Sequence, residues 1–471
     1  MTQAQEFHLS TPGKMTSKTP HFQVLGKNQS GILVHKYGKK NSIIEAYNSD
    51  LKLRWKKEMS FKEPGAQVKA VIPSLTRLHV FYFAQYKGYT KLHLQSLDDK
   101  LKPVGRAIHI DSIPGYKDQV FNKFRVINSL DKTKTMVYQP AYGDKGLEYV
   151  KVMCFNQSMK LLYRRRIEPG YSEKETKLRK TMVDNDGNGY WVIYETIKPN
   201  RRQTAIQNEF YLLKYMHETR QFDKIALNID IPLVNGLKVD LDNANNRMVM
   251  TGLYALNEDE GAKGVFYQVI DLETQEAITT SLTPLDHEMI RGITGKDSSS
   301  NFDGLFSFSL SRVIPRFDGG AIAIAESRFD NSESVQMTSI VASTTPSFRT
   351  VNIIYFNDVV VFSIDPQGQI EWSSILRKKQ VSEDDDGFYS SYALVMDKDK
   401  LRFVYNEEVF PKTNINEYAL ASNGEQRRNT IFNAADFNIM LVPQLAKQVT
   451  SNELVIPSYR RNYLRLVKIN Y

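Results

Sequence analysis

Phe22-Gln-Val-Leu25, Gly31-Ile-Leu-Val-His-Lys-Tyr37, Ser42-Ile-Ile-Glu-Ala-Tyr47 and Leu53-Arg-Trp-Lys56 follow one another with only short polar turns between them. Each run is apolar or alternating, the first three carry Val, Ile or Tyr, and the last is entered through Asn48-Ser-Asp-Leu51. That is the signature of four antiparallel strands joined by hairpins. The pattern returns as Val68-Lys-Ala-Val-Ile72, Leu78-His-Val-Phe-Tyr-Phe83, Thr90-Lys-Leu-His-Leu94 and Gly105-Arg-Ala-Ile-His-Ile110. Second strands of successive copies begin near positions 31, 77, 132, 189, 247, 319, 400 and 453. Most intervals fit the ~40–50 residues of a propeller blade with somewhat longer loops. The reading is an all-β chain, an eight-bladed β-propeller of four-stranded blades forming one domain over residues 1–471. Seven blades is the alternative count, if one unit is absorbed into an insertion. The two long intervals place loop insertions at about 286–306 and 328–350, both rich in Ser, Thr and Asn.

The last copy has strands at Asn438-Ile-Met-Leu-Val442, Glu453-Leu-Val-Ile456 and Leu464-Arg-Leu-Val-Lys-Ile469 but no fourth. Glu6-Phe-His-Leu9 has no other place in the repeat, so it is expected to complete that blade and hide its edge.

Composition narrows the class. The 471 residues are 41% apolar and 11% aromatic, enough for a core and unlike a disordered chain. The formal charge of +9 is spread over arginine clusters at 164–166, 201–202, 427–428 and 460–461, with acidic runs between them. A nucleic-acid binder would gather such clusters on one face among aromatics, so no nucleic-acid partner is expected. No apolar run approaches the length of a membrane-spanning helix. The single cysteine, Cys154, sits in a strand-like run and reads as a small buried hydrophobe.

From Asn357 onward the chain resembles a group of uncharacterised exported propeller-like proteins of Bacteroidota. The carrying segments are Asn357-Asp-Val-Val-Val-Phe-Ser-Ile-Asp-Pro-Gln-Gly-Gln-Ile-Glu-Trp372, Asp385-Asp-Gly-Phe-Tyr-Ser-Ser-Tyr-Ala-Leu394, Asn452-Glu-Leu-Val-Ile-Pro457 and Leu464-Arg-Leu-Val-Lys-Ile469. The resemblance implies export to the periplasm or cell surface after removal of a leader. The opening residues, which lack a basic and apolar leader, give a cytoplasmic location as the alternative. It implies no activity.

Few residues suggest chemistry. Asp184-Asn-Asp-Gly-Asn-Gly-Tyr-Trp-Val-Ile-Tyr-Glu195 matches the spacing of a calcium loop, with Asp184, Asp186 and Asn188 as metal ligands. The strand-like Tyr190–Tyr194 run would carry Glu195 far from the loop, so a hairpin turn is the competing reading. Apart from calcium, no cofactor is expected. The eight histidines show no metalloprotease spacing and there is no G-x-S-x-G. His79, His93 and His109 fall on strands and read as structural. Phe388, Tyr389 and Tyr392 follow the acidic run Glu383-Asp-Asp-Asp386 and are candidate interaction residues, or anchors of a solvated loop. The functional expectation is a monomeric, non-enzymatic protein-interaction scaffold of the bacterial cell envelope, bound to another envelope protein. Alternatives are a carbohydrate-binding or carbohydrate-active propeller using its central channel, and an accessory subunit of a secretion or gliding apparatus.

Overall fold

A computed structural model describes residues 6–63, 65–170, 172, 174–197, 207–229, 233–256, 261–295, 304–337, 347–409 and 413–471. The protein is all-β, built from four-stranded antiparallel sheets of the kind that form propeller blades. Among the described residues the strands group into eight meanders, spanning 21–58, 67–114, 125–167, 175–226, 233–284, 308–376, 393–433 and, last, 447–470 together with 6–9. The third and fourth share one sheet through a single parallel bridge, Gly146 to Thr176. A Cβ on Gly146 would lie 2.2 Å from the Thr176 carbonyl oxygen, so that approach requires glycine.

Burial falls from the second strand of a meander to the fourth. Gly31–Tyr37 and Leu78–Tyr86 are buried along most of their length, whereas Leu53–Glu58 and Ala277–Pro284 are largely exposed. Two-sided burial is why the second strands read as unbroken apolar runs rather than as alternation. The third-to-fourth-strand turns use one device repeatedly. Asn48, Asp98 and Asn156 each accept backbone N–H bonds two and four residues on, through Oδ1. Leu51, Leu101 and Met159 take the left-handed conformation three residues after the Asx, at φ of 59°, 57° and 60°. The repeat is also visible across meanders. Arg179 to Leu237, Asn185 to Asn243 and Lys214 to Leu272 are hydrogen bonds between the fourth and fifth meanders, all at a separation of 58 residues.

Contacts sort the chain, read above as a single domain, into two compact units. One comprises Met1–Val120, Arg328–Asp358 and Leu376–Tyr471, the other Phe121–Ser327 and Val359–Ile375. In the first unit, Glu6–Leu9 pairs antiparallel with Tyr463–Asn470, from Glu6 opposite Asn470 to Leu9 opposite Val467. This is the edge-sealing strand expected from the repeat. Phe7 stacks on Phe432 at 4.3 Å and meets Phe437 edge-on at 5.4 Å, fixing the strand by burial as well as by its ladder.

Three local expectations change. Residues 438–442 do not form the first strand of the last meander; Lys447–Gln448 does. Asn438 caps a short 3-10 turn in the left-handed conformation, and Pro443 opens another. Between them Met440 and Leu441 N–H groups donate to Ser458 Oγ and Asn406 Oδ1 rather than to a regular ladder. The stretch 328–350, expected as a loop, is strand in its described parts, Ala321–Met337 and Ser347–Ile364. Its polar composition masked a cross-strand pair, Phe329 stacked on Tyr355 at 4.5 Å. In 286–306, His287–Thr294 is a helix, with Asp286 accepting from Met289 N at 2.7 Å and Gly295 closing it at φ 68°.

Candidate anion site

The final hairpin pairs Glu453–Arg460 with Tyr463–Asn470 and turns through Arg461 and Asn462. Both central residues have positive φ, 49° and 65°, as a type I′ turn demands. Asn suits that conformation; Arg461 holds it against the steric cost of its Cβ. The turn projects beside the N-terminal segment, which crosses the same strand again where Gly13–Lys14 pairs with Leu464 and Tyr463. Between these elements lies a cavity of about 330 Å³ lined by Pro12, Asn438, Ser458, Arg460, Arg461, Tyr463 and Arg465.

None of those lining residues is acidic. Arg465 donates through Nε to the Ser10 carbonyl at 3.1 Å and through Nη1 to the Phe437 carbonyl at 2.7 Å. Arg460 donates through Nη1 to Asn438 Oδ1. Every partner is a neutral oxygen, so the guanidinium groups are oriented but not neutralised. Like charges gathered in one concavity raise the local potential and favour an anion. Tyr463, a residue 45% exposed, also lines the cavity. Beside it lies an aromatic shelf: Tyr459 packs edge-on against Phe388 at 6.1 Å and lies 5.7 Å from Phe22, and its hydroxyl donates to Asn462 Oδ1 at 2.9 Å.

This shelf contains two of the three aromatics singled out in the sequence. Phe388 and Tyr389 pack into the cluster of Met15, Phe22, Val24 and Tyr47, while Tyr392 lies apart from them against Phe403 at 5.1 Å. Burial, with the Asp385 carboxylate next in effect, pushes the Tyr389 hydroxyl up to about 12. The acidic run is folded on itself, Asp385 Oδ1 accepting from Ser382 Oγ and from the Gly387 N–H.

The calcium-loop residues make a tight turn. Asp184 Oδ1 accepts from the N–H groups of Asp186 and Asn188, and Oδ2 from Asn188 Nδ2 and the Tyr190 hydroxyl. Glu195 lies on the strand beyond, opposite Glu209, and binds Ser172 and Lys224. Among the described residues, no group of three or more His, Cys, Asp or Glu side chains is placed to hold a metal ion. Cys154 is fully buried, and that burial pushes its thiol up to about 12. His79 is buried against Ser96 Oγ at 2.9 Å, and His93 sits between Tyr82 and His109 at ring distances of 5.2 and 5.6 Å. Among the described residues, His93 Nε2 has no hydrogen-bond partner.

Of the other arginine clusters, 201–202 lies outside the described residues. Arg166 pairs with Glu168 and lies over the Tyr149 ring, and Arg428 pairs with Glu407. Among the described residues, no helix is long and apolar enough to cross a membrane.

No family model and no curated protein matches the chain. Among solved structures, it is similar to polysaccharide lyase Uly1 with a TM-score of 0.41 and 9% identity, over 98% of this chain and 99% of that one. A mutant of the Synechocystis apocarotenoid oxygenase aligns with a TM-score of 0.29 and 8% identity, over 74% and 72%. A puromycin hydrolase aligns at 0.34 and 7%, over 74% and 53%. Likenesses this distant carry no activity over to this chain.

Proposed function

We propose that this protein binds acidic carbohydrate, with the arginine cavity of the final hairpin as its recognition site. The observation that carries the reading is a cavity lined by three arginines, two of which, Arg460 and Arg465, are held by neutral oxygens, and by the exposed Tyr463. Planar guanidinium groups match carboxylate and sulfate oxygens bidentately. The tyrosine face suits the apolar face of a sugar ring. At about 330 Å³ the cavity is at the small end for ligand sites, suited to a short saccharide rather than a large cofactor. Export to the cell envelope, implied by the family resemblance, would put the site where such polymers occur. The scaffold and accessory-subunit readings take their envelope location from that resemblance, and nothing in the geometry of this cavity selects a protein as its occupant.

The test is calorimetric titration with a uronate disaccharide, its neutral counterpart and inorganic phosphate. The disaccharide should bind, and Arg460→Ala/Arg461→Ala should weaken it by roughly tenfold or more, as expected for lost charged hydrogen bonds. Equal binding of the neutral sugar, or phosphate binding as tightly as the disaccharide, overturns the reading.

A further inference from the structure

A second cationic feature lies in the other unit and comes from a repeated irregularity. The first strands of five meanders carry a break in register, at Val24/Gly26, Val68/Ala70, Leu178/Lys180, Asn235/Lys238 and Leu310/Arg312. The residue that resumes the ladder is therefore Gly26, Ala70, Lys180, Lys238 or Arg312. In the fourth, fifth and sixth meanders that position is a cation each time.

These three breaks are stitched side by side. Arg179 Nη2 donates to the Leu237 carbonyl at 3.1 Å. Gly236, at φ 69°, approaches the next strand so closely that a Cβ would lie 2.6 Å from Leu310 N. Lys180, Lys238 and Arg312 thus stand at matched positions on neighbouring strands, with Arg179 beside them. Asp240 lies in the field of two of them, Lys180 and Arg312. Lys238 is partly buried, and burial followed by the charges of Arg179 and Lys180 pushes its ammonium pKa down. An ammonium held among cations in that way is stabilised by an anion brought from outside.

We propose that Arg179, Lys180, Lys238 and Arg312 bind a linear acidic polysaccharide, with successive carboxylate or sulfate groups meeting cations on successive strands. A periodic row of cations fits a periodic row of anions. Single-stranded nucleic acid is disfavoured because such sites interleave exposed aromatics with cations. The three first strands contain one aromatic, Phe308, and it is buried. The inference shares its ligand class with the arginine cavity and none of its residues.

The experiment measures binding of the full chain to a sulfated glycosaminoglycan and to polygalacturonate between about 50 and about 200 mM salt, with single-stranded DNA of similar charge as the competitor. Both polysaccharides should bind, more weakly as salt rises. Lys180→Ala/Lys238→Ala/Arg312→Ala should lose roughly tenfold or more and show a shallower salt dependence. Alanine is already the residue at the equivalent position 70, so the variant is compatible with the repeat; Lys180→Arg/Lys238→Arg should retain binding. The triple variant should still bind the uronate disaccharide, whereas Arg460→Ala/Arg461→Ala should fail on the disaccharide alone. Unchanged polymer binding in the triple variant overturns the inference, as does tighter binding of DNA than of either polysaccharide.

Discussion

Arg461 shows how one residue can serve a site at the expense of its own backbone. The first central position of a type I′ turn favours Asn or Gly, and an L-residue with a larger side chain there costs ~1 kcal/mol or more. Arg461→Asn should therefore raise stability by about 0.5–1 kcal/mol while weakening uronate binding. Urea unfolding and titration on the same preparation check both halves. A variant that binds normally would remove Arg461 from the site, whatever its stability. The buried histidines are the opposite case, residues whose environment suppresses their chemistry. Burial lowers His35 and His79 to about 4, so both are neutral fillers of the first two meanders at neutral pH.

At the level of elements, the N-terminal strand matters most. It covers the edge of Tyr463–Asn470, and Leu466 N donates to Ser10 Oγ at 2.8 Å while Arg465 holds the Ser10 carbonyl. Deleting residues 1–14 should cost about 2–4 kcal/mol through loss of Phe7 and Leu9 burial, and should expose an edge prone to pairing with other chains. It should also abolish disaccharide binding. Denaturant midpoints, sedimentation and titration test this, and a peptide of residues 6–14 added in trans should restore all three. Wild-type stability in the truncated chain would contradict the role assigned to the strand.

This strand was legible in the sequence because a repeat with one strand missing and one strand spare has an evident solution. So were the second strands, whose two-sided burial writes itself as unbroken apolar runs, and the Asx turns. The arginine cavity was only half legible: Arg460-Arg461 stood out, but Arg465, Pro12 and Asn438 join it through pairing between the two ends of the chain, which carries no local pattern. The cation row was not legible at all. Lys180, Lys238 and Arg312 become equivalent only after register breaks that neither periodicity nor composition records. The strands flanking 338–346 were missed because their stability comes from cross-strand pairs, and Ser, Asn and Thr read locally as loop.

For the whole molecule, pH should act in two stages. His35 and His79 have folded pKa values of about 4, below their ordinary 6.5, so the unfolded chain binds more protons between those limits. Their contribution is complete above pH 6.5 and lost as pH falls towards 4, about 1–2 kcal/mol each by pH 5. Glu45 follows. Its burial pushes the carboxyl up, but the Lys36 hydrogen bond and charge outweigh this and hold it below 4.5. That contribution is present above 4.5 and lost as pH falls through the lowered value. Urea midpoints should therefore drop between pH 7.5 and 5, and His35→Gln/His79→Gln should flatten the drop. Equal wild-type midpoints at the two pH values would refute it.

The bond between Leu466 and Ser10 spans 456 residues. At translation speeds of ~5–20 residues per second, the early strand waits on the order of half a minute or more for the chain that will receive it. Throughout synthesis the arginine cavity therefore has no floor, and a nascent or prematurely terminated chain cannot hold a ligand there. Recognition at this site is a report on long-range pairing: only a molecule in which the segment around Ser10 has docked on the strand around Leu466 can display it.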